Sequence, residues 1–175
     1  GFIGANLVLR LLADVENSTI IGLDNVNAYY DVSLKEYRLA QIEKTAKQYP
    51  SNRWQLIRGD LADKALIESI FQQYHPGIVV NLAAQAGVRY SIDHPDVYME
   101  SNIIGFYNIL EACRHYPVEH LVYASSSSVY GGNKKVPFST DDPVDNPVSL
   151  YAATKKSNEL MAHCYAKLYD IPSTG

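Results

Sequence analysis

The sequence predicts a doubly wound α/β fold built on a parallel sheet. Short β-branched runs alternate with segments of helical period along all 175 residues. The strand runs are too apolar to face water, as expected of strands covered by helices on both faces. The opening Gly1-Phe2-Ile3-Gly4 leads straight into a helical pattern, Ala5 to Leu12, with no strand before it, so a strand is expected ahead of Gly1.

Along the chain, Thr19 to Leu23 reads as a buried strand ending at Asp24, followed by a polar loop with Asn25, Asn27, Tyr29, Tyr30 and Asp31. Leu34 to Lys47 has helical spacing and is broken by Pro50-Ser51-Asn52, before a strand from Trp54 to Arg58 and a turn at Gly59-Asp60. Leu66, Ile67, Ile70, Phe71 and Tyr74 recur three or four apart, a helix that stops at Pro76-Gly77. A strand from Ile78 to Leu82 follows. Residues 96 to 115 read as one long helix, Leu121 to Ala124 as a strand and Leu150 to Tyr169 as the last long helix. No internal repeat or low-complexity tract interrupts the alternation.

Hydrophobic residues make up 47% and charged ones 19%, which suits a single globular domain with a sizeable core. The net charge of -4 offers no broad basic surface, so no nucleic-acid or membrane partner is expected and a small molecule is the natural ligand. No apolar run approaches the ~20 residues of a membrane span. Cys113 and Cys164 lie far apart in helical segments, which gives no disulfide framework and fits a reducing, cytoplasmic setting. The five histidines show no metal-ligand spacing, and no metal is expected.

In open parallel sheets, ligands bind beyond the carboxyl ends of the strands. Gly1 and Gly4 have the spacing of the last glycines of a turn that lets backbone approach a pyrophosphate and helix pack on strand. That pairing alone is common. It gains weight from Asp24, about 20 residues on at a strand end, where a carboxylate can accept hydrogen bonds from an adenosine ribose. An ordinary loop aspartate is the alternative. No arginine follows Asp24, so a 2′-phosphate would meet an uncompensated carboxylate and NAD is preferred over NADP. Asp60 could accept from the adenine amino group, and the small side chains of Ala83-Ala84-Gln85 permit close backbone approach; plain loop remains open for both.

Tyr151 and Lys155 stand one turn apart on a helix, where the ammonium can sit near the phenol oxygen and favour its ionised form, a usable general base. Tyr130 and Lys134 share the spacing, but Gly131-Gly132-Asn133 between them is turn chemistry. On the last helix Ala153, Leu160, Met161, Cys164 and Leu168 form one side, a packing face. Tyr151, Lys155 and Asn158 fall roughly opposite, a working face. After the fifth strand, Ser125 to Ser128 put hydroxyls where they can bond a substrate alcohol, though serine runs are also common in loops.

Taken in order, GFIG, LDN at 23 to 25, GDL at 59 to 61, NLAAQ at 81 to 85, SSSSVYG and YAATK resemble the extended short-chain dehydrogenase/reductases of the NAD-dependent epimerase/dehydratase family, with a Rossmann fold. Within it, LDNVNAYYDVSLKEYRL, AAQAGVRYS, YASSSSVYG and SLYAATKKSNELMAH look like the UDP-glucuronate 4-epimerases. The resemblance implies bound NAD lined by Gly1, Phe2, Ile3, Gly4, Asp24, Asn25, Asn27, Asp60, Leu61, Leu82, Ala83, Ala84, Gln85, Asn102, Ser125, Tyr151 and Lys155. It implies Ser126, Tyr151 and Lys155 as the catalytic set. Ser126 lies three positions before the valine of VYG, with Ser125 and Ser128 close by. A UDP-sugar would be held by Arg89, Ser126, Ser127 and Tyr151; Arg89 is the cation available to a uronate, and a surface salt bridge is its alternative role.

Family members that dehydrate or decarboxylate carry acidic residues where Ser127 and Ser128 stand here, which favours C4 epimerisation through a 4-keto sugar. The resemblance also implies a first strand and a further glycine before Gly1, and a C-terminal substrate domain after Gly175. Residues 1–175 would then be an incomplete NAD-binding domain, inactive alone, its sheet lacking a central strand and leaving two neighbours with unpaired edges. A homodimer through the helices at 96–115 and 150–169 is a further implication. The rival readings are another UDP-sugar epimerase or dehydratase, and a non-catalytic NAD-sensing module; a sensor has no use for a phenolate base.

Overall fold

In the computed structural model, which describes residues 1–175, helix α1 (Phe2–Asp14) starts directly at Gly1 and strand β1 (Thr19–Asp24) follows it. Helix α2 (Val32–Ala46) and strand β2 (Arg53–Arg58) complete a first compact unit, Gly1–Asp60. β1 and β2 pair in parallel from Thr19↔Arg53 to Asp24↔Arg58. Ala5, Leu12 and Ile42 form the buried centre, with Val8, Leu9, Ile20, Ala46 and Trp54 packed around it. Gly22 is required here, because a Cβ would run into the Trp54 ring. Asp31 caps α2 by accepting from the Ser33 amide at 2.8 Å.

The second unit, Leu61–Gly175, opens with α3 (Lys64–Tyr74), capped by Asp63 and ended by His75 in the left-handed region at φ 42°. Strand β3 (Ile78–Asn81) leads through a loop to the short helices α4 (Tyr90–Asp93) and α5 (Pro95–Tyr98), and to α6 (Gly105–His115). Then come β4 (His120–Tyr123), a 3-10 turn at Ser127–Tyr130, α7 (Leu150–Tyr169) and β5 (Ser173–Thr174). β3, β4 and β5 pair in parallel in that order. Gly105 lets α6 lie against Leu61, whose Cβ would be 2.8 Å from a Cβ at that glycine.

The architecture is the expected α/β arrangement of parallel strands joined through helices, in a two-stranded sheet where β1 bonds only β2 and a three-stranded sheet where β3 bonds only β4. Three expectations need correction. The helix foreseen over 96–115 begins at Pro95 and carries a π-helical stretch at Met99–Ile104, so its residues do not follow one 3.6-residue stripe. The strands are less covered than their composition suggested: Ile78 is 65% exposed and Val80 39%, because they alternate onto one face of β3 that no helix of this unit covers. β5 is only two residues long and gave no periodic signal.

The supposed packing face of α7 is the third. Leu160 is 57% exposed and Leu168 69%, while Ala152, Thr154, Lys155, Asn158 and Ala162 are buried. The polar side of α7 faces inward because its side chains bond the backbone of neighbouring segments. The apolar side lines an open groove with Met99, Ile103 and Leu150.

One buried side chain ties the first unit together. Asn52, 6% exposed, donates to the carbonyls of Leu12 at 3.1 Å and Val15 at 2.7 Å and accepts from the Ser18 amide at 3.0 Å, closing the exit of α1 onto β1. Asn52→Ala leaves those groups without partners and is expected to cost roughly 2 to 4 kcal/mol, a loss readable in urea unfolding of the full-length protein.

Candidate functional site

In the first unit the expected residues collect around the start of α1. Gly1 is its N-cap with no side-chain cap, and a Cβ there would meet only the Tyr30 hydroxyl, at 3.9 Å. Phe2 and Ile3 are exposed on the first turn, and Gly4 is half-buried. The first-turn amides of a helix have no intrahelical acceptor, the property by which a helix start can bind an anion.

Asp24, at the end of β1, faces that turn: its Oδ2 accepts from the Gly1 amino group at 2.8 Å and its Oδ1 from the Val26 amide at 2.8 Å. Burial pushes the Asp24 carboxyl up, while the hydrogen bond from the Val26 amide and the charge of Lys35 pull it down. The loop beyond is a succession of turns in which a side-chain oxygen caps the amide two residues on: Asp24 to Val26, Asn25 to Asn27, Asn27 to Tyr29. Asn25 also donates to Asp60 at 2.8 Å, joining the ends of β1 and β2.

In the second unit the expected residues sit at the carboxyl ends of β3 and β4. Leu82, Ala83 and Ala84 follow β3, with Ala83 exposed. Gln85 is buried, its amide donating to Asn102 Oδ1 at 2.8 Å and its carbonyl accepting from Asn102 Nδ2 at 3.0 Å. Asn102, 1% exposed in the π-helical stretch, also donates to Thr154 Oγ1, and its carbonyl accepts from Asn158 at 2.7 Å. Leu61 is buried under α6, its carbonyl accepting from Asn108 at 2.8 Å. Arg89 is exposed and makes no ion pair.

Lys155 is 5% exposed and donates to the Ala124 carbonyl, just past β4, at 3.0 Å. Burial lowers its ammonium to about 8. Ser125 donates to Glu159 at 2.6 Å. Ser126 Oγ accepts from the Ser128 amide at 3.2 Å and lies 2.9 Å from the Ser128 hydroxyl, while Ser127 is exposed. Tyr151 is half-buried in the first turn of α7, its ring meeting Tyr98 edge-on at 6.0 Å, and Ser149 caps that turn. Tyr98 donates to the carbonyls of Ala86 at 2.8 Å and Gly87 at 2.5 Å, so the aromatic wall beside Tyr151 also holds the loop after β3.

The structure thus brings Lys155, the serine turn, Asn102 and Gln85 together around α7, with Tyr151 one turn before Lys155. Tyr130 and Lys134 are separated by the turn at Gly131, φ 58°, and Tyr130 stacks on Phe138 at 4.3 Å. Sequence reasoning missed Lys35, Tyr98, Thr154 and Glu159. Glu159 had a signal, one turn beyond Lys155 on the same face. Lys35 had none, since nothing local shows that a lysine of α2 returns to the loop before it.

The chain is matched along residues 1–175 by the family model described as GDP-mannose 4,6 dehydratase. It is 53% identical to Protein CapI of Staphylococcus aureus over 175 residues, all of this chain and 50% of that one. It is 43% identical to a probable UDP-glucuronate 4-epimerase of Rhizobium meliloti over 174 residues, 99% of this chain and 49% of that one. The crystal structure of UDP-glucuronic acid 4-epimerase from Bacillus cereus, in complex with UDP-glucuronic acid and NAD, aligns with a TM-score of 0.85 at 32% identity, covering 99% of this chain and 52% of that one. The chain spans about half the length of the curated relatives it matches. With strands, glycine turn and Tyr-Lys helix in family order and a match along its whole length, the chain belongs to the GDP-mannose 4,6 dehydratase family of short-chain dehydrogenase/reductases.

Proposed function

We propose that residues 1–175 are the NAD-binding part of a nucleotide-sugar 4-epimerase that interconverts UDP-glucuronate and UDP-galacturonate. The observation that carries this reading is the buried Lys155 ammonium, held at the Ala124 carbonyl on the helix that also presents Tyr151, beside the serine turn that follows β4. Similarity to a UDP-glucuronic acid 4-epimerase structure containing UDP-glucuronic acid and NAD supports the choice of sugar.

The residues present fit NAD. The glycine spacing at the start of α1 suits a pyrophosphate, and the Asp24 carboxylate at the end of β1 suits the ribose hydroxyls. The Lys155 ammonium has three protons and one protein acceptor, leaving two for ligand oxygens. Asn25, Asn27 and Asp60 are assigned to the adenosine half, and Leu82, Ala83, Ala84, Gln85 and Ser125 to backbone contact with the rest. When bound, NAD accepts the C4 hydride and returns it. Tyr151, as phenolate, takes the proton of the sugar 4-hydroxyl, and Ser126 donates a hydrogen bond to the same oxygen. Lys155, one helical turn along from Tyr151, would supply the positive charge that favours the phenolate. With NAD bound, its hydride chemistry at C4 would allow inversion by way of a 4-keto sugar without net redox. Arg89, exposed and without an ion pair, is available to the uronate carboxylate, and the exposed Ser127 is assigned to the same sugar nucleotide.

The test is incubation of full-length protein with UDP-glucuronate and no added cofactor, followed by chromatography of the sugar nucleotides. UDP-galacturonate is expected, and Tyr151→Phe should slow its formation about 100-fold to 10,000-fold. No conversion even with NAD supplied, but conversion of another UDP-sugar, would move the substrate; NAD binding with no conversion of any UDP-sugar would favour a sensor.

Lys155→Met separates function from stability. Because folding lowers the lysine from 10.5 to about 8, the unfolded chain keeps a proton that the folded chain releases between those values, and stability rises with pH across that window. The charged form is therefore a burden at neutral pH, of order 3 kcal/mol. Lys155→Met is expected to abolish turnover yet melt higher than wild type at pH 7, with the gap closing as pH rises from 8 toward 10.5.

The exposed apolar side of α7, with Met99 and Ile103, fits pairing with the same helices of a second copy. Leu160→Arg, at a 57% exposed position, is expected to convert a dimer to monomers in sedimentation equilibrium while leaving the far-UV circular dichroism of the folded chain unchanged.

A further inference from the structure

Lys35 is 8% exposed, an unusual position for a lysine on a helix that starts only three residues earlier. Its ammonium turns back to the loop that precedes the helix and donates to two atoms of one residue, the Asn27 carbonyl at 2.8 Å and Asn27 Oδ1 at 3.0 Å. It also lies over the Tyr30 ring, 4.4 Å from the centroid. The ammonium's two hydrogen bonds and its ring contact thus all fall on the 25–30 loop. Three residues along α2, Arg38 donates to the Tyr30 hydroxyl at 2.9 Å and lies over the Phe2 ring at 5.3 Å. Two cations of one helix therefore clamp the loop from below.

The loop has reason to need a clamp. Val26 sits at φ 50°, a left-handed conformation that a β-branched residue adopts only when its surroundings impose it. Its neighbours Asp24 and Asn27 impose it through their caps on the Val26 and Tyr29 amides. Asn27 Oδ1 accepts from both Tyr29 and Lys35, so the lysine fixes the side chain that sets the turn. Stability alone would be served as well by an apolar chain of the same length, since burying an ammonium is costly. What the ammonium adds is one defined geometry for Asp24, Asn25 and Asn27.

We propose that Lys35 is a positioning residue for the adenosine half of NAD, holding the 25–30 loop in its binding conformation through Asn27; this rests on the NAD reading above. The cation was invisible to the local rule that no arginine follows Asp24. It also does not overturn the preference against a 2′-phosphate, because its protons are already committed to the loop.

The test uses full-length protein freed of bound nucleotide, with NAD and AMP as probes in equilibrium titrations alongside thermal melts. Lys35→Met is expected to weaken both probes by the same factor, ~10-fold or more, as for loss of a charge-assisted contact, with no fall in melting midpoint. Lys35→Arg, which keeps donors for Asn27, should recover most of the affinity, and Asn27→Ala should reproduce the loss should Lys35→Met fail to fold. Wild-type affinity in Lys35→Met overturns the proposal, as does a loss confined to NAD with AMP unaffected, or wild-type affinity in Asn27→Ala. Wild-type protein that binds neither probe overturns the NAD reading itself, and the proposal with it.

Discussion

The contact on which the candidate catalytic region depends is the bond from a buried ammonium to a strand-end carbonyl, Lys155 to Ala124. It joins the middle of α7 to the last peptide of β4, so the serine turn that begins at Ser125 and the tyrosine one turn earlier on α7 are positioned by the same link. A carbonyl is a weak partner for a buried charge, which is why the ammonium is lowered to about 8. The cost makes sense as preorganisation: an ammonium held nearly dry, with two protons uncommitted, interacts with a ligand oxygen far more strongly than one already surrounded by water.

Asn102 does for the loop after β3 what Lys155 does for the serine turn. Its amide bonds both the N–H and the C=O of Gln85, as a neighbouring strand would, and its third contact, to Thr154, carries that loop onto α7. The π-helical stretch is what turns this asparagine inward, and Asn158 satisfies its carbonyl. Buried amides of this kind stabilise only when every group is paired, and here no buried side-chain polar atom lacks a partner. The inward face of α7 is therefore polar by necessity, and its apolar residues are displaced to the outside.

That inversion explains what the sequence could and could not reveal. Alternation of strand and helix periods was legible because each element repeats a local rule several times, and the boundaries of α7 match the expected Leu150 to Tyr169. The Tyr151–Lys155 helix was legible because its spacing and its lack of turn residues are local, and Gly131 exposed the decoy at Tyr130 for the same reason. The orientation of α7 was not legible. Periodicity finds an apolar side but not whether that side meets the core or the outside, and three long-range hydrogen bonds from Lys155, Asn158 and Asn102 settle it. Lys35 escaped notice similarly, since its partner Asn27 lies in a loop whose path depends on the lysine itself.

The serine turn shows how geometry narrows a choice that spacing leaves open. Four consecutive serines offer four hydroxyls, and a useful one must have a proton to give to the substrate oxygen. Ser125 gives its proton to the Glu159 carboxylate at 2.6 Å, a charge-assisted bond that a neutral sugar hydroxyl would not easily displace. Ser128 lies beside Ser126 and donates to it, and the Ser128 amide donates to the same oxygen. Ser126 is therefore an acceptor twice over with its own proton unassigned, and each accepted bond makes that proton a better donor. Glu159 thus has a part in the choice although it is far from the proposed reaction in sequence: by occupying Ser125, one turn beyond the lysine that holds Ala124, it leaves Ser126 as the hydroxyl of the turn most polarised toward giving a proton away.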